Sequence, residues 1–488
     1  MKNKKRIVVW MLVMSCCFLS IFQVNKADAQ ATTSLKEIDQ FIQNSMNKNK
    51  IPGLSVAITH HDKVIYTKGY GHTSDKKPVT SDTPFAVASL SKAFTAIAVM
   101  QLVEAGKIKL DNPIASYIPN FKLADPRGTK ITVRHLLQHT SGLTDMVNDD
   151  MTQDPQPKSF KEAIHNLNNV TLATNPGEKY NYHNPNYVIL AYLVEIVSKE
   201  KFADYLQQHI FQPLEMKSTT NVAFTSLLKK ITNFSTGHYH LFGHPVKIEE
   251  PDWFVNGPAG MVSTANDMAR WLVMQGNDGK YKNKQILSTK GMEQTHTSVD
   301  PNVKYGMGWN ITETEQGKKQ IQHGGILWTY KAEEVLLPDE GYGIVVLFNS
   351  GLNSFVDYTS FTRGIANILT DQPLEESFFS NQWIEIMMVI VIVVTIVLGV
   401  RALLQLGYWD EKRNGRAKWR TYTYMCLRLI PLVLLLLFPQ LLAFIGGGRV
   451  VIWQGIYLMM PSVLIWLSIF SLFQLIIILA RLVYILKK

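Results

Sequence analysis

Cysteine is almost missing from this 488-residue chain: Cys16 and Cys17 lie in the first apolar stretch and Cys426 near a later one. The long region between them has none, so no disulfide ties it together and a hydrophobic core must hold it. No fixed-period repeat and no low-complexity linker occurs, which excludes a repeat array. G-x-S-x-G, P-loop and dinucleotide fingerprints are also absent, so an α/β-hydrolase has no nucleophile here and a nucleotide enzyme no phosphate cradle.

Metal-ligand patterns are equally thin. His135-Leu-Leu-Gln-His139 has the two-histidine spacing of a zinc-protease helix without its glutamate. His238, His240 and His244 have no cysteine or close carboxylate beside them and read as a loop bordering a substrate cleft. No metal and no cofactor is expected.

The two ends carry the long apolar runs. MKNKKR, the apolar stretch Ile7 to Val24 and ADAQA at Ala27 to Ala31 read as a signal peptide over residues 1–31. Residues 32–373 have ordinary globular composition, and 374–382 form a linker to three candidate spans at 383–403, 429–447 and 456–480. The first would span about 31 Å as a helix, enough for a bilayer core of about 30 Å.

Lys412, Arg413, Arg416, Lys418 and Arg420 crowd the 404–428 loop, and Arg481, Lys487 and Lys488 the 481–488 tail. The 448–455 loop has only Arg449. Positive residues stay inside, so the first loop and the tail are cytoplasmic, and the globular domain lies outside the plasma membrane. The +10 net charge is read as topology, with no nucleic-acid partner. Few polar groups interrupt the spans: Glu385 and Arg428 near their ends, Gln440 and Gln474 further in. Anchoring is the simplest role for such segments.

Within the domain, Leu54 to Thr59 and Val64 to Gly69 predict a β-hairpin; Gln320 to His323, Ala332 to Leu337 and Gly343 to Asn349 predict three more strands, followed by a helical stretch from Phe355 to Leu369. Strands at both ends of a helical middle suggest an α+β fold, an antiparallel sheet closed by both ends of the domain with a helical subdomain inserted.

Three short elements carry chemistry. Ala88 to Gly106 predicts a core helix that sets Ser89 and Lys92 three residues apart on one face, within reach of each other. A serine hydroxyl becomes a nucleophile when a neighbour takes its proton, and a buried amine is able to do so. Tyr182-His183-Asn184 follows a Pro-Gly turn and precedes a helix, and residues two apart on an extended loop project to one side. Asn184-Pro185 also suits a plain helix start. His323-Gly324-Gly325 ends a predicted strand, where glycines let another backbone approach, or form a turn.

SLSK, YHN and HGG in this order, with HLLQHTSGL from His135, GPAGMVSTANDMARW from Gly257 and YGMGW from Tyr305, resemble the serine β-lactamase and penicillin-binding protein superfamily. The branch it is most similar to holds class C β-lactamases, D-alanyl-D-alanine carboxypeptidases and related esterases. The likeness covers about Leu35 to Leu369. It implies Ser89 as acylated nucleophile, Lys92 as proton acceptor, Tyr182 as proton shuttle, and Asn184, His323 and Gly325 as substrate contacts. The oxyanion hole would be the backbone N–H of Ser89 and that of Ile326.

Half-neutral Lys92 at pH 7 requires a fall of about 3.4 from its ordinary pKa, roughly 4.6 kcal/mol, and half-ionised Tyr182 a fall of about 3, roughly 4 kcal/mol. These costs do not separate the two as base. His323 stands where penicillin-recognising relatives carry a lysine; a histidine is mostly neutral at pH 7, which weakens recognition of a substrate carboxylate. The expected substrate is a D-amino-acyl ester or amide of the cell envelope. The alternatives are a penicillin-binding protein or β-lactamase acting on peptidoglycan stem peptides or β-lactams, and a receptor that holds its ligand without turnover and signals through the membrane helices.

Overall fold

The computed structural model of the protein describes residues 34–486 apart from 150–152, 154, 301, 376–379, 414 and 416; the expected signal peptide lies outside the described residues. Its centre is a six-stranded antiparallel sheet. In chain order the strands are β1 (Gly53–His60), β2 (Lys63–Gly71), β3 (Asn310–Glu313), β4 (Lys319–Ile326), β5 (Lys331–Leu337) and β6 (Tyr342–Phe348). Across the sheet they run β3-β4-β5-β6-β1-β2, so β1, from the start of the domain, pairs with β6, from its end.

Alternation builds the layers. Leu54, Val56 and Ile58 of β1 and Ile344, Val346 and Phe348 of β6 point to one face, where they meet Ile38, Ile42 and Met46 of a helix over 34–49 and Phe361, Ile365 and Ile368 of the helix Thr359–Leu369. Ala57, Val345 and Leu347 point to the other face, into a larger core. That core contains Trp271, whose ring stacks on Phe94 at 3.7 Å, and the helix Ser91–Glu104, buried on nearly every side. The helical part inserted between β2 and β3 thus packs on the sheet through the helix Ala265–Gly276, which carries Trp271.

The short edge strand β3 was absent from the sequence expectation, as was a three-stranded sheet of Phe85–Ala86, Met261–Ser263 and Thr220–Asn221. Strands of two to four residues give too little alternation to see.

Two C-terminal helices are long and apolar enough to cross a membrane, Asn381–Leu404 and Pro461–Leu486. The expected span at 429–447 is instead a bent pair, Lys418–Leu436 and Phe438–Ile445, meeting at 62°, so the described residues have two such helices, or three if the pair counts as one. Pro439 has no N–H for the Leu435 carbonyl, and the break falls just before it. The segment expected to begin the last span also differs. Trp453–Met459 is a separate short helix that packs on the globular domain, with Leu458 against Tyr239 and Trp328 and the Met459 carbonyl accepting from Ser354 N–H at 3.2 Å. Pro461 then opens the long helix.

Candidate active site

The backbone is strained immediately before Ser89. Ala88 has φ of +50°, which costs a residue with a side chain about 1–3 kcal/mol. It starts a 3₁₀ turn, Ala88–Leu90, that runs into the helix Ser91–Glu104. The second serine of SLSK is used up structurally. Ser91 Oγ donates to Ala88 O at 2.6 Å and accepts from Met261 N–H at 3.0 Å, and the residue is fully buried.

Lys92 is buried completely and gathers the other elements. Its Nζ lies 3.1 Å from Ser89 Oγ, 2.8 Å from Asn184 Oδ1 and 3.1 Å from the Pro258 carbonyl. It also sits 4.7 Å from the centre of the Tyr182 ring. Ser89, Lys92, Tyr182 and Asn184 therefore meet in one place, and Asn184, expected to face a substrate amide, holds the lysine.

His323 completes the wall. Gly325 lies against the nucleophile's own backbone: a Cβ there would come within 2.2 Å of Val87 O, so only glycine lets β4 pass this closely. The following residue, Ile326, is 42% exposed. His323 is buried, and its Nδ1 is 2.8 Å from the Gly324 carbonyl, which fixes the proton on that nitrogen. Nε2 then accepts from Tyr305 O–H at 3.1 Å. Burial, with the Lys92 charge second, lowers the His323 pKa to about 3, so the ring is neutral across the physiological range. Tyr305 is buried and pushed well above its usual range, so it stays a donor.

Several residues around this site were given no role in it from the sequence. His139 comes from HLLQHTSGL and packs its buried ring against Tyr182 at 4.5 Å and Tyr305 at 5.0 Å. Its Nδ1 accepts from His183 N–H at 3.2 Å and Asn186 Nδ2 at 3.0 Å. The other histidine of that pair, His135, accepts from Thr132 N–H at 3.2 Å as part of a helix cap, 3.1 Å from where a Cβ of Gly177 would stand. Asp145 Oδ1 pairs with the buried His183 at 2.8 Å.

The most distant arrival is Arg449, from the loop between the bent pair and Trp453–Met459. Its Nη1 reaches Asp145 at 2.8 Å, and its guanidinium lies 5.5 Å from the Tyr182 ring centre. No periodicity or motif could have brought residues 145, 182 and 449 together; only the sign of Arg449 in an otherwise uncharged loop set it apart.

The three histidines expected in a loop lie on a two-stranded hairpin, His238–Leu241 and His244–Lys247. His238 and His240 lie on the hairpin strand His238–Leu241, where His238 Nδ1 donates to Asn349 O at 2.8 Å and His240 Nε2 lies 3.2 Å from Lys50 O. Among the described residues no group of three His, Cys, Asp or Glu side chains gathers to hold a metal.

A serine and a buried lysine in hydrogen-bond contact, beside a tyrosine and under a Gly-Gly strand end, thus meet on a sheet closed by both ends of its domain. The Beta-lactamase family matches residues 38–362, and the chain belongs to it, a family of serine hydrolases that includes penicillin-binding-protein-like relatives. Protein flp of Staphylococcus aureus (strain MW2) is 31% identical over 339 residues, 66% of this chain and 64% of that protein. The match thus spans less than two thirds of this relative's length. The octameric penicillin-binding protein homologue from Pyrococcus abyssi superposes with a TM-score of 0.61 at 27% identity, covering 70% of this chain and 78% of that one. EstCE1, a hydrolase with promiscuous acyltransferase activity, shares the fold, with a TM-score of 0.59 at 21% identity over 70% of this chain and 99% of its own.

Proposed function

We propose that this protein is a membrane-anchored serine hydrolase that works through an acyl-enzyme on Ser89, with its catalytic domain on the extracellular face, on D-amino-acyl esters or amides of the cell envelope. The observation that carries the reading is the set of partners around Lys92 Nζ. In its neutral form the amine has two N–H groups, and Asn184 Oδ1 and Pro258 O are both acceptors placed to take them. The lone pair then turns to Ser89 Oγ, takes the hydroxyl proton, and frees the oxygen to attack the substrate carbonyl.

The tetrahedral oxyanion sits between the N–H groups of Ser89 and Ile326, and Tyr182, beside two cationic side chains, passes the proton to the leaving group. Water reverses the sequence and releases the acid. The neutral His323 supports the choice of substrate class: the wall has no ammonium at that position to hold a free carboxylate. A second reading, a penicillin-binding protein or β-lactamase, is favoured by Arg449, which brings a guanidinium to the edge of the same site.

The test is intact-mass spectrometry of the full chain in detergent, wild type and Ser89→Ala, with a D-alanyl ester and, separately, a fluorescent penicillin. Turnover of the ester that requires Ser89 is expected. A stable penicillin adduct without ester turnover would replace the first reading with the second, and a stable adduct with neither substrate turned over would favour the receptor. No adduct and no turnover with either probe, in a chain that remains folded, would remove the hydrolase reading.

A further inference from the structure

At the end of the long helices opposite the globular domain lies a cavity of about 380 Å³, bounded by the segments that follow Leu404, the start of the bent pair and the last turns of Pro461–Leu486. Three arginines line it, Arg413, Arg428 and Arg481, together with Trp409, Tyr424 and Gln474, and the described residues lining it include no carboxylate. The nearby Asp410 accepts from Arg413 Nη2 at 2.8 Å. Arg428 donates to the Gln474 side-chain carbonyl, a neutral partner. Arg481 is 9% exposed, its guanidinium lies 4.5 Å from the Trp409 ring centre, and its Nε is buried with no hydrogen-bond partner among the described residues.

A long cationic side chain at a membrane surface ordinarily extends its head into water. Here Arg428 and Arg481 turn theirs inward to one cavity, where like charges repel and an unmet N–H carries a desolvation cost. A bound anion with several acceptor oxygens relieves both. A tetrahedral phosphate accepts from a planar guanidinium fork in pairs, and this chemistry suits arginine over lysine. We infer that this cavity is a binding site for a phosphate group, presented either by an anionic lipid headgroup or as free inorganic phosphate. The site is at the level of the chain where the basic 404–428 loop meets the helix ends, which is where phosphate headgroups lie for a protein oriented as proposed above.

The test uses the full chain in detergent, with binding read by native mass spectrometry and by the shift of the thermal midpoint. One arm adds phosphatidylglycerol, with phosphatidylcholine as the zwitterionic control; the other adds inorganic phosphate. Wild type is compared with Arg481→Gln, Arg428→Gln and, as a control removing one exposed positive charge outside the cavity, Arg401→Gln. Phosphatidylglycerol retained one to one, about tenfold more weakly in Arg481→Gln and Arg428→Gln and unchanged in Arg401→Gln, supports the site with a lipid as its source. The same pattern with inorganic phosphate supports it with the free ion as source. No retention in either arm, or equal loss in all three variants, overturns it. Circular dichroism and gel filtration identify a variant that has failed to fold; Arg481→Lys, which keeps the charge and loses the fork, then replaces it, and wild-type affinity in that variant also counts against the site.

Discussion

At the scale of the residue, charge and burial at Lys92 and His323 decide the behaviour. Lys92→Ala is expected to lower kcat/KM at least a thousandfold while the chain still folds, because proton transfer of this kind contributes about 10²–10⁴ and the nucleophile is lost with it. Lys92→Arg should not rescue it, since a guanidinium does not give up its proton; steady-state kinetics on the proposed ester would check both. His323 makes a statement about pH. Its folded pKa is depressed to about 3 while an unfolded chain protonates it near 6.5, so the unfolded state binds more protons between those values. Its contribution to stability is full above about 6.5 and lost as pH falls toward 3. The thermal midpoint of the full chain should therefore drop from pH 7 to pH 4, and drop less in His323→Gln; an identical slope in the two would refute this. Ser89, Lys92, Tyr182, Asn184 and His323 were all legible because each sits in a short pattern whose chemistry requires its neighbours. Tyr305 and His139 were not, since one buried tyrosine or histidine looks like any other until its partner is seen.

At the scale of the element, the strand β4 and the turn after it are held by close contacts that leave little slack. Gly325→Ala would drive a Cβ to 2.2 Å from Val87 O, so the strand or the nucleophile turn must move. Overpacking of this kind costs about 1–3 kcal/mol, and activity should fall further than stability because Ile326 and Ser89 move apart; paired measurement of the unfolding midpoint and kcat would show the difference. On the far side of the turn, Glu250 accepts from Trp328 N–H at 3.0 Å and Thr329 N–H at 2.8 Å. Glu250→Ala leaves both unmet and should cost about 1–3 kcal/mol, measurable by chemical unfolding. The long strands β1, β2, β5 and β6 could be read from their apolar and β-branched runs, whereas β3, with only Asn310–Glu313, could not. The bend before Pro439 illustrates the complementary failure: hydropathy counts apolar residues and is blind to one missing N–H.

At the scale of the whole molecule, the C-terminal apolar segments also bear on the site, because the loop between Phe438–Ile445 and Trp453–Met459 brings Arg449 to Asp145 and Tyr182. Arg449→Ala should reduce kcat/KM by about threefold to thirtyfold, the range of a partly buried cation over an aromatic ring; Arg449→Lys should recover part of the loss. A kcat/KM unchanged in Arg449→Ala would remove the arginine from the site's chemistry. The sequence placed residue 449 in a loop between spans, yet the distance from Tyr182 along the chain hid the contact. That distance sets an order of events. A ribosome makes strands β1 to β6 before residues 446–453 exist, so the sheet and the Ser89–Lys92 pair can form while one edge of the site is still unmade. That edge arrives only with Arg449, and a chain cut between Pro373 and Arg449 lacks it.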